Sequence, residues 1–267
     1  MPGWYVDPWQ QSPVRWWDGA TWTGFVAPAE SVHREPAPTF PFAGGLWGVA
    51  GIAASVVVSQ VLSAVLADHF RISPAVWIAA FYLPVYGGIA ATCVLISRRF
   101  GSGNLVADYG WRVRGTDVWR GLLVWLVGAI AAALANTPWL HDDTAQRIER
   151  TLRHGYQHLG PVALLEFAVI AIVVAPLLEE MAFRGLFLRA FSDRVGVAWA
   201  VVIQAVLFGL YHFTPGLGHA NQPGVVVRAA MGAVFGMFAA RWRRLGPSTI
   251  GHVIFNAFFV ISLIAAT

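Results

Sequence analysis

Lysine is absent from these 267 residues: all 18 basic side chains are arginine. That bias reflects the base composition of the coding sequence rather than mechanism, since lysine serves equally well on most surfaces. Cysteine occurs once, at Cys93, which excludes an internal disulfide and leaves the redox compartment open. Lying inside an apolar run, Cys93 reads as a small packing residue rather than a thiol nucleophile. Charge of either sign is scarce, 12% against 57% hydrophobic residues, which excludes an ordinary soluble domain and points to a membrane protein. The net charge of +4 belongs to loops and implies no nucleic-acid partner. No cleavable signal peptide is expected, because the first apolar run begins only after about forty polar and aromatic residues. Neither His-Glu-x-x-His nor Gly-x-Ser-x-Gly occurs. The helical zinc-protease motif and the serine-hydrolase elbow are thereby missing.

What is present begins with tryptophan. Residues 1–26 read Pro2-Gly3-Trp4-Tyr5, then Arg15-Trp16-Trp17-Asp18-Gly19, then Thr21-Trp22. Aromatic and β-branched residues flanking Asp-Gly predict a hairpin and a two- or three-stranded sheet. The segment resembles a short tryptophan-rich module of unknown function that precedes membrane segments in many bacterial proteins. Its aromatics either grip a protein partner or supply the core of a sheet otherwise too small to hold together. Residues 27–42 carry Pro28, Pro36, Pro38 and Pro41, the composition of a semi-stiff linker.

The third domain, 43–267, is expected to be all-α and polytopic. Apolar segments of spanning length fall at about 43–67, 75–97, 118–136, 161–183, 197–213, 224–240 and 248–266. Arginine collects in alternate loops, at Arg98 to Arg120, Arg184 to Arg194 and Arg241 to Arg244. The positive-inside rule places those loops, and hence the N-terminus, in the cytoplasm of a multi-pass protein of the cell membrane. Gly44 with Gly48, and Gly232 with Gly236, have the spacing that lets helices approach closely. His154 and His158 stand at i, i+4 in a polar loop, without carboxylates or cysteines to complete a metal site.

The chemistry-bearing stretch is Pro176-Leu-Leu-Glu-Glu-Met-Ala-Phe-Arg184. Ionisable groups at membrane depth are costly and mark a functional site until shown otherwise. Arg184 lies at i+4 from Glu180, on the same helix face. Neighbouring helical residues project about 100° apart, so Glu179 and Glu180 cannot face one pocket alike. Arg184 braces Glu180, which leaves Glu179 as the base. Two more pairs follow at i, i+4: Phe208 with His212, and His252 with Asn256. A carboxylate, two histidines and an amide can activate water and hold an oxyanion.

Glu179-Glu180-x-x-x-Arg184, Phe208-x-x-x-His212 and His252-x-x-x-Asn256 together resemble the three motifs of the CPBP family, intramembrane endopeptidases similar to CAAX prenyl proteases and bacteriocin-processing proteins. The likeness covers roughly 160–267. It implies a protease cutting peptides or membrane-protein tails that arrive from the lipid or the cytoplasm. It also implies that Glu179 activates water with His212, that His252 and Asn256 bind the oxyanion, and that Glu180 and Arg184 hold the site in shape with Phe208 as a wall. The family is commonly labelled metalloprotease. Glu179, His212 and His252 would be the ligand candidates for zinc, and a water held by glutamate and histidine is the metal-free alternative.

Depth sets a puzzle. Glu179 and His212 each lie about 25 Å from the turn near Gly196, whereas His252 lies only about 8 Å beyond Pro247. Straight helices do not unite all three, so either the Arg184 to Arg194 stretch projects into the cytosol or the 213–224 link folds inward, and the first is expected because it keeps the pocket open to the cytoplasmic leaflet. Two rival classes remain. A non-catalytic immunity or scaffold protein would keep the cluster for packing. A transporter would use it as a proton relay, but the inverted repeats that reading expects are not evident in the chain.

Overall fold

The computed structural model describes residues 2–28, 40–143, 146, 150, 154–156, 158–214 and 217–265, and divides the chain into two units, Met1–Pro38 and Thr39–Thr267.

In the first unit, β1 (Gly3–Val6), β2 (Val14–Trp17) and β3 (Trp22–Ala27) form an antiparallel sheet in the order β1-β2-β3. The β2–β3 turn follows from Asp-Gly chemistry. The Asp18 carboxylate accepts from the Ala20 and Thr21 amides at 2.7 and 2.6 Å, and Gly19 takes φ +105°, which favours a residue without a side chain. Trp22 is the centre of an aromatic cluster, edge-on to Tyr5, Trp9 and Trp17. Beneath it Arg15 pairs with Asp7 at 3.0 Å. So small a sheet gains stability from aromatic area and one well-bonded ion pair.

The second unit is a multi-pass helical membrane domain. Its helices are α1 (Phe42–His69), α2 (Pro74–Phe100), the short α3 (Leu105–Tyr109), α4 (Asp117–Asn136), α5 (Pro161–Val195), α6 (Val197–Tyr211), α7 (Asn221–Trp242) and α8 (Gly246–Ala265). Among the described residues six helices are long and apolar enough to cross a membrane, and α6, at 15 residues, is a shorter apolar seventh. Large apolar side chains such as Trp47, Trp119, Leu165 and Trp199 are exposed, as a lipid solvent allows.

Small residues set the helix contacts. A side chain at Gly51 would meet Thr92, one at Gly88 would meet Ser55, and one at Gly121 would meet Ile250. These approaches join α1 to α2 and α4 to α8. Gly48 abuts Leu186 and Phe187, and Gly232 and Gly236 admit Phe208 and Gln204 of α6.

The core gathers around the second half of α5, where Phe183, Leu186, Phe187 and Phe191 are buried with Tyr109, Ile89 and Cys93. The helix is therefore longer than the 161–183 span that charge suggested. It runs 35 residues, to Val195, because α1 and α3 cover its polar-looking stretch. Two segments of α5, Ile170–Val174 and Glu180–Phe187, are π-helical, with widened turns that often occur at functional sites.

Candidate functional site

The depth puzzle resolves at α3. The Asp108 carbonyl accepts from Arg189 of α5 at 3.0 Å, and the Gly110 carbonyl accepts from the Leu245 amide at 3.1 Å. One short segment thereby levels Arg189 with the α7–α8 turn. From that level, Glu180 lies two and a half turns up α5, about 13 Å, and His252 lies two turns up α8, about 10 Å. Only α5 beyond Arg189 projects past the turn. Arg184, placed in the projecting stretch on sequence grounds, is instead 1% exposed inside the bundle.

Other contacts fix the ends of these elements. Asp117 of α4 is buried, pairs with Arg244 and sits against Gly246, which pins the start of α8. The Asp108 carboxylate closes the α2–α3 loop. Burial works to raise its pKa, but hydrogen bonds from Ser97 and Ser102 outweigh burial and hold it below the usual carboxylate value.

Within that frame the two glutamates part company. Glu180 is fully buried; its Oε1 lies 3.1 Å from Arg184 Nη1 and 3.2 Å from His252 Nδ1. Arg184 also donates from Nη2 to the Gly232 carbonyl at 3.3 Å and stacks its guanidinium 4.4 Å from the Phe208 ring centre. Glu179, 2% exposed, turns the other way. Its Oε1 accepts from the Tyr86 hydroxyl at 3.0 Å, and its Oε2 faces His252 Nε2 at 3.7 Å. The imidazole of His252 thus stands between adjacent carboxylates, with Phe235 and Phe208 against its ring.

His212 is the C-cap of α6, and its Nδ1 lies 2.8 Å from the Phe208 carbonyl. A carbonyl only accepts, so Nδ1 carries the proton and Nε2 is left as an acceptor. Asn256 donates from Nδ2 to the Ala171 carbonyl at 2.7 Å, in the first π-helical segment of α5. One of its two amide protons is thereby engaged. An apolar hollow of about 290 Å³ opens beside His212, lined by Leu210, Phe213, Asn221, Val225 and Val226. The glutamates do not line it.

Tyr86 and Arg228 escaped the reading of motifs. Tyr86 carries no signal in sequence, being one aromatic among many in an apolar span. Arg228 does carry one: it is the charged residue inside the apolar segment 224–240, and an arginine at membrane depth calls for a partner. Ser248 donates to the Leu245 carbonyl, a local helix bond. His154 and His158 bring ring nitrogens within 3.0 Å of each other on an exposed segment.

A structural zinc site takes four protein ligands, and a catalytic one takes three plus water. Among the described residues no group of three or more His, Cys, Asp or Glu side chains is arranged to hold a metal ion. Glu179, His212 and His252 do not form such a set. The donor set among the described residues does not fit zinc as arranged.

Fold and site define a multi-pass helical membrane protein enclosing a buried Glu-Glu-Arg-His cluster. Residues 161–258 match the family described as type II CAAX prenyl endopeptidase Rce1-like, and residues 2–35 match the protein family of unknown function DUF2510. The chain is 29% identical over 93 residues to the protein named "Putative membrane peptidase YdiL" of Bacillus subtilis (strain 168), and the match covers 35% of each chain. Thus about a third of that relative's length is spanned. No solved structure matches the chain. These likenesses support a protease.

Proposed function

We propose that the chain is an intramembrane endopeptidase in which Glu179 activates water for attack on a peptide bond. The observation that carries this reading is the division of labour between adjacent carboxylates. Glu180 is held by Arg184 and His252 Nδ1, while Glu179 keeps Oε2 directed at His252 Nε2 across a 3.7 Å gap. Water oxygen attacks the carbonyl carbon as Glu179 takes one water proton, with the acceptor Nε2 of His212 as its second contact. His252 and the remaining amide proton of Asn256 face the developing oxyanion. When the C–N bond breaks, the proton passes from Glu179 to the leaving nitrogen, giving a carboxylate and an amine. Glu180 and Arg184 fix the orientation of His252, and Phe208 walls the guanidinium.

The substrate in this reading is a peptide or membrane-protein tail. It approaches by the hollow at the ends of α6 and α7, beside His212. The protein lies in the cell membrane with its N-terminus in the cytoplasm. Supporting that orientation, the α3–α4 loop with Arg112 and Arg114, the α7–α8 turn with Arg243 and Arg244, and Arg189 of α5 meet at one end of the bundle.

The test is a peptide library presented to purified protein in detergent and read by mass spectrometry. Glu179→Gln keeps side-chain volume and removes the base, and cleavage should drop on the order of 100- to 10,000-fold with unchanged thermal melting. Undiminished cleavage by that variant would overturn the reading and favour a cluster kept for packing.

A further inference from the structure

Three arginines that take no part in the chemistry above meet at the end of the bundle where α7 finishes and α4 and α8 begin. Their meeting point is the backbone of Gly110, which ends α3 in a left-handed turn at φ +71°. Its carbonyl accepts from the Arg112 amide at 2.9 Å and from the amide of Leu245, two residues after Arg243, at 3.1 Å. Arg189 of α5 lays its guanidinium against the same glycine and donates from Nη1 to the Asp108 carbonyl at 3.0 Å. The charges of Arg112 and Arg243 both act on Arg189. Arg112 and Arg243 are exposed, and Arg189 is half-buried.

Like charges gathered in this way repel unless an anion joins them. The nearby carboxylates are already engaged. Asp117 is held by Arg244 and Arg120, and Asp108 by the hydroxyls of Ser97 and Ser102 with the amides of Ser102 and Gly103. Among the described residues no carboxylate lies at ion-pair distance from Arg112, Arg189 or Arg243. A guanidinium carries five donors in a planar fork that matches phosphate, so a bond to one backbone carbonyl leaves most of Arg189's capacity unused. Arg243 also holds φ +54°, a conformation that glycine or asparagine adopts at less cost, so its side chain must offset backbone strain.

Tryptophan marks the depth of this end. Trp111, Trp119 and Trp242 directly precede Arg112, Arg120 and Arg243, and the Arg120 guanidinium lies over the Trp242 ring at 5.3 Å. Indoles are enriched at the headgroup level of a bilayer, where the anions within reach of a basic pocket are lipid phosphates.

We propose that Arg112, Arg189 and Arg243 form a site for the phosphate of an anionic lipid headgroup. Bound there, the phosphate clamps the α3–α4 loop, α5 and the α7–α8 turn, the three segments that set the height of His252 relative to Glu180. The proposal goes beyond the peptidase reading and is tested without it.

The full chain in detergent is given equal parts of phosphatidylglycerol and phosphatidylcholine, and the bound lipids are counted by native mass spectrometry. Each arginine at a lipid phosphate contributes about 5-fold, so wild type should prefer phosphatidylglycerol on the order of 100-fold. Arg112→Gln/Arg243→Gln should cut that preference about 25-fold, and Arg112→Lys/Arg243→Lys should keep most of it. Arg98→Gln/Arg99→Gln removes the same charge from the exposed end of α2 and should change the preference by less than about 3-fold. Each preference is a ratio within one protein, so a change in stability does not mimic it. Thermal melting in nanodiscs reads the clamp: the equal mixture should raise the midpoint of wild type by several degrees over phosphatidylcholine alone, and that of Arg112→Gln/Arg243→Gln by much less. Inorganic phosphate added to phosphatidylcholine discs should give no such rise. No preference in wild type overturns the proposal. Equal losses in the two Gln double variants also overturn it, in favour of a general basic surface. A rise with inorganic phosphate as large as that with phosphatidylglycerol overturns the lipid as the source.

Discussion

Each of the two units holds a carboxylate–arginine pair, and the pairs differ in how completely they are bonded. In the N-terminal sheet, Asp7 accepts from Arg15 Nε and Nη2 and from the amides of Trp9, Gln11 and Ser12. Arg15 donates further to Thr23 and Gln11. In the membrane domain, Glu180 and Arg184 approach to 3.1 Å, yet Glu180 Oε2 and Arg184 Nε and Nη1 make no hydrogen bond among the described residues. A pair that holds a fold is bonded at every lone pair. A buried pair left short of partners is costly to keep, and an apolar pair of similar volume would often be as stable. On the proposed reading, the Glu180–Arg184 pair serves to hold His252 rather than to stabilise the fold.

The sharpest way to break that comparison is to replace the membrane pair altogether. Glu180→Leu/Arg184→Met should melt close to wild type yet lose on the order of 100-fold in cleavage, because His252 loses the acceptor on Nδ1. Thermal unfolding in detergent beside a cleavage assay reads both. If activity survives, the pair is scaffold after all. Removing one partner is the next largest effect on the fold. Arg184→Leu strands a buried carboxylate and should cost about 3–5 kcal/mol in the same melt.

A packing change gives a smaller loss. In Gly48→Ala the new methyl group would meet Leu186 and Phe187 at 2.6 and 2.8 Å, an overpacking that costs about 1–3 kcal/mol. Smallest is the effect of acid on the sheet. Hydrogen bonding from Arg15, with the Trp9 and Ser12 amides, holds the Asp7 carboxyl below its usual value. A depressed carboxylate contributes stability in full above its unfolded pKa near 4, and that contribution is lost as pH falls through the folded value. Amide spectra of the sheet should therefore loosen only below about pH 4. Loosening that begins near neutrality would show the sheet to rest on another group.

How much of this was legible in sequence depends on whether the cause was local. The Asp18-Gly19 hairpin and the Glu180–Arg184 pair follow from neighbours within four residues, and both stand in the structure. The length of α5 was hidden because Arg184, Arg189 and Arg194 read as the end of a span. Arg184 is covered by α6 and α7 and Arg189 is tied to α3, all far away in the chain, while Arg194 is exposed. His252 could not be levelled with the glutamates, since the tie through Asp108 and Gly110 is a tertiary contact made by a segment that read only as a loop. Tyr86 was invisible for the same reason. Arg228 is legible as a charge inside an apolar run, although no motif contains it.

The most direct measurement of the central claim is peptide cleavage in ¹⁸O-labelled water by wild type and Glu179→Gln, both shown to melt alike. Water activated by Glu179 should leave one ¹⁸O in the new carboxylate formed by wild type, with label appearing in the variant at least about 100-fold more slowly. Equal rates in the two proteins would contradict the account.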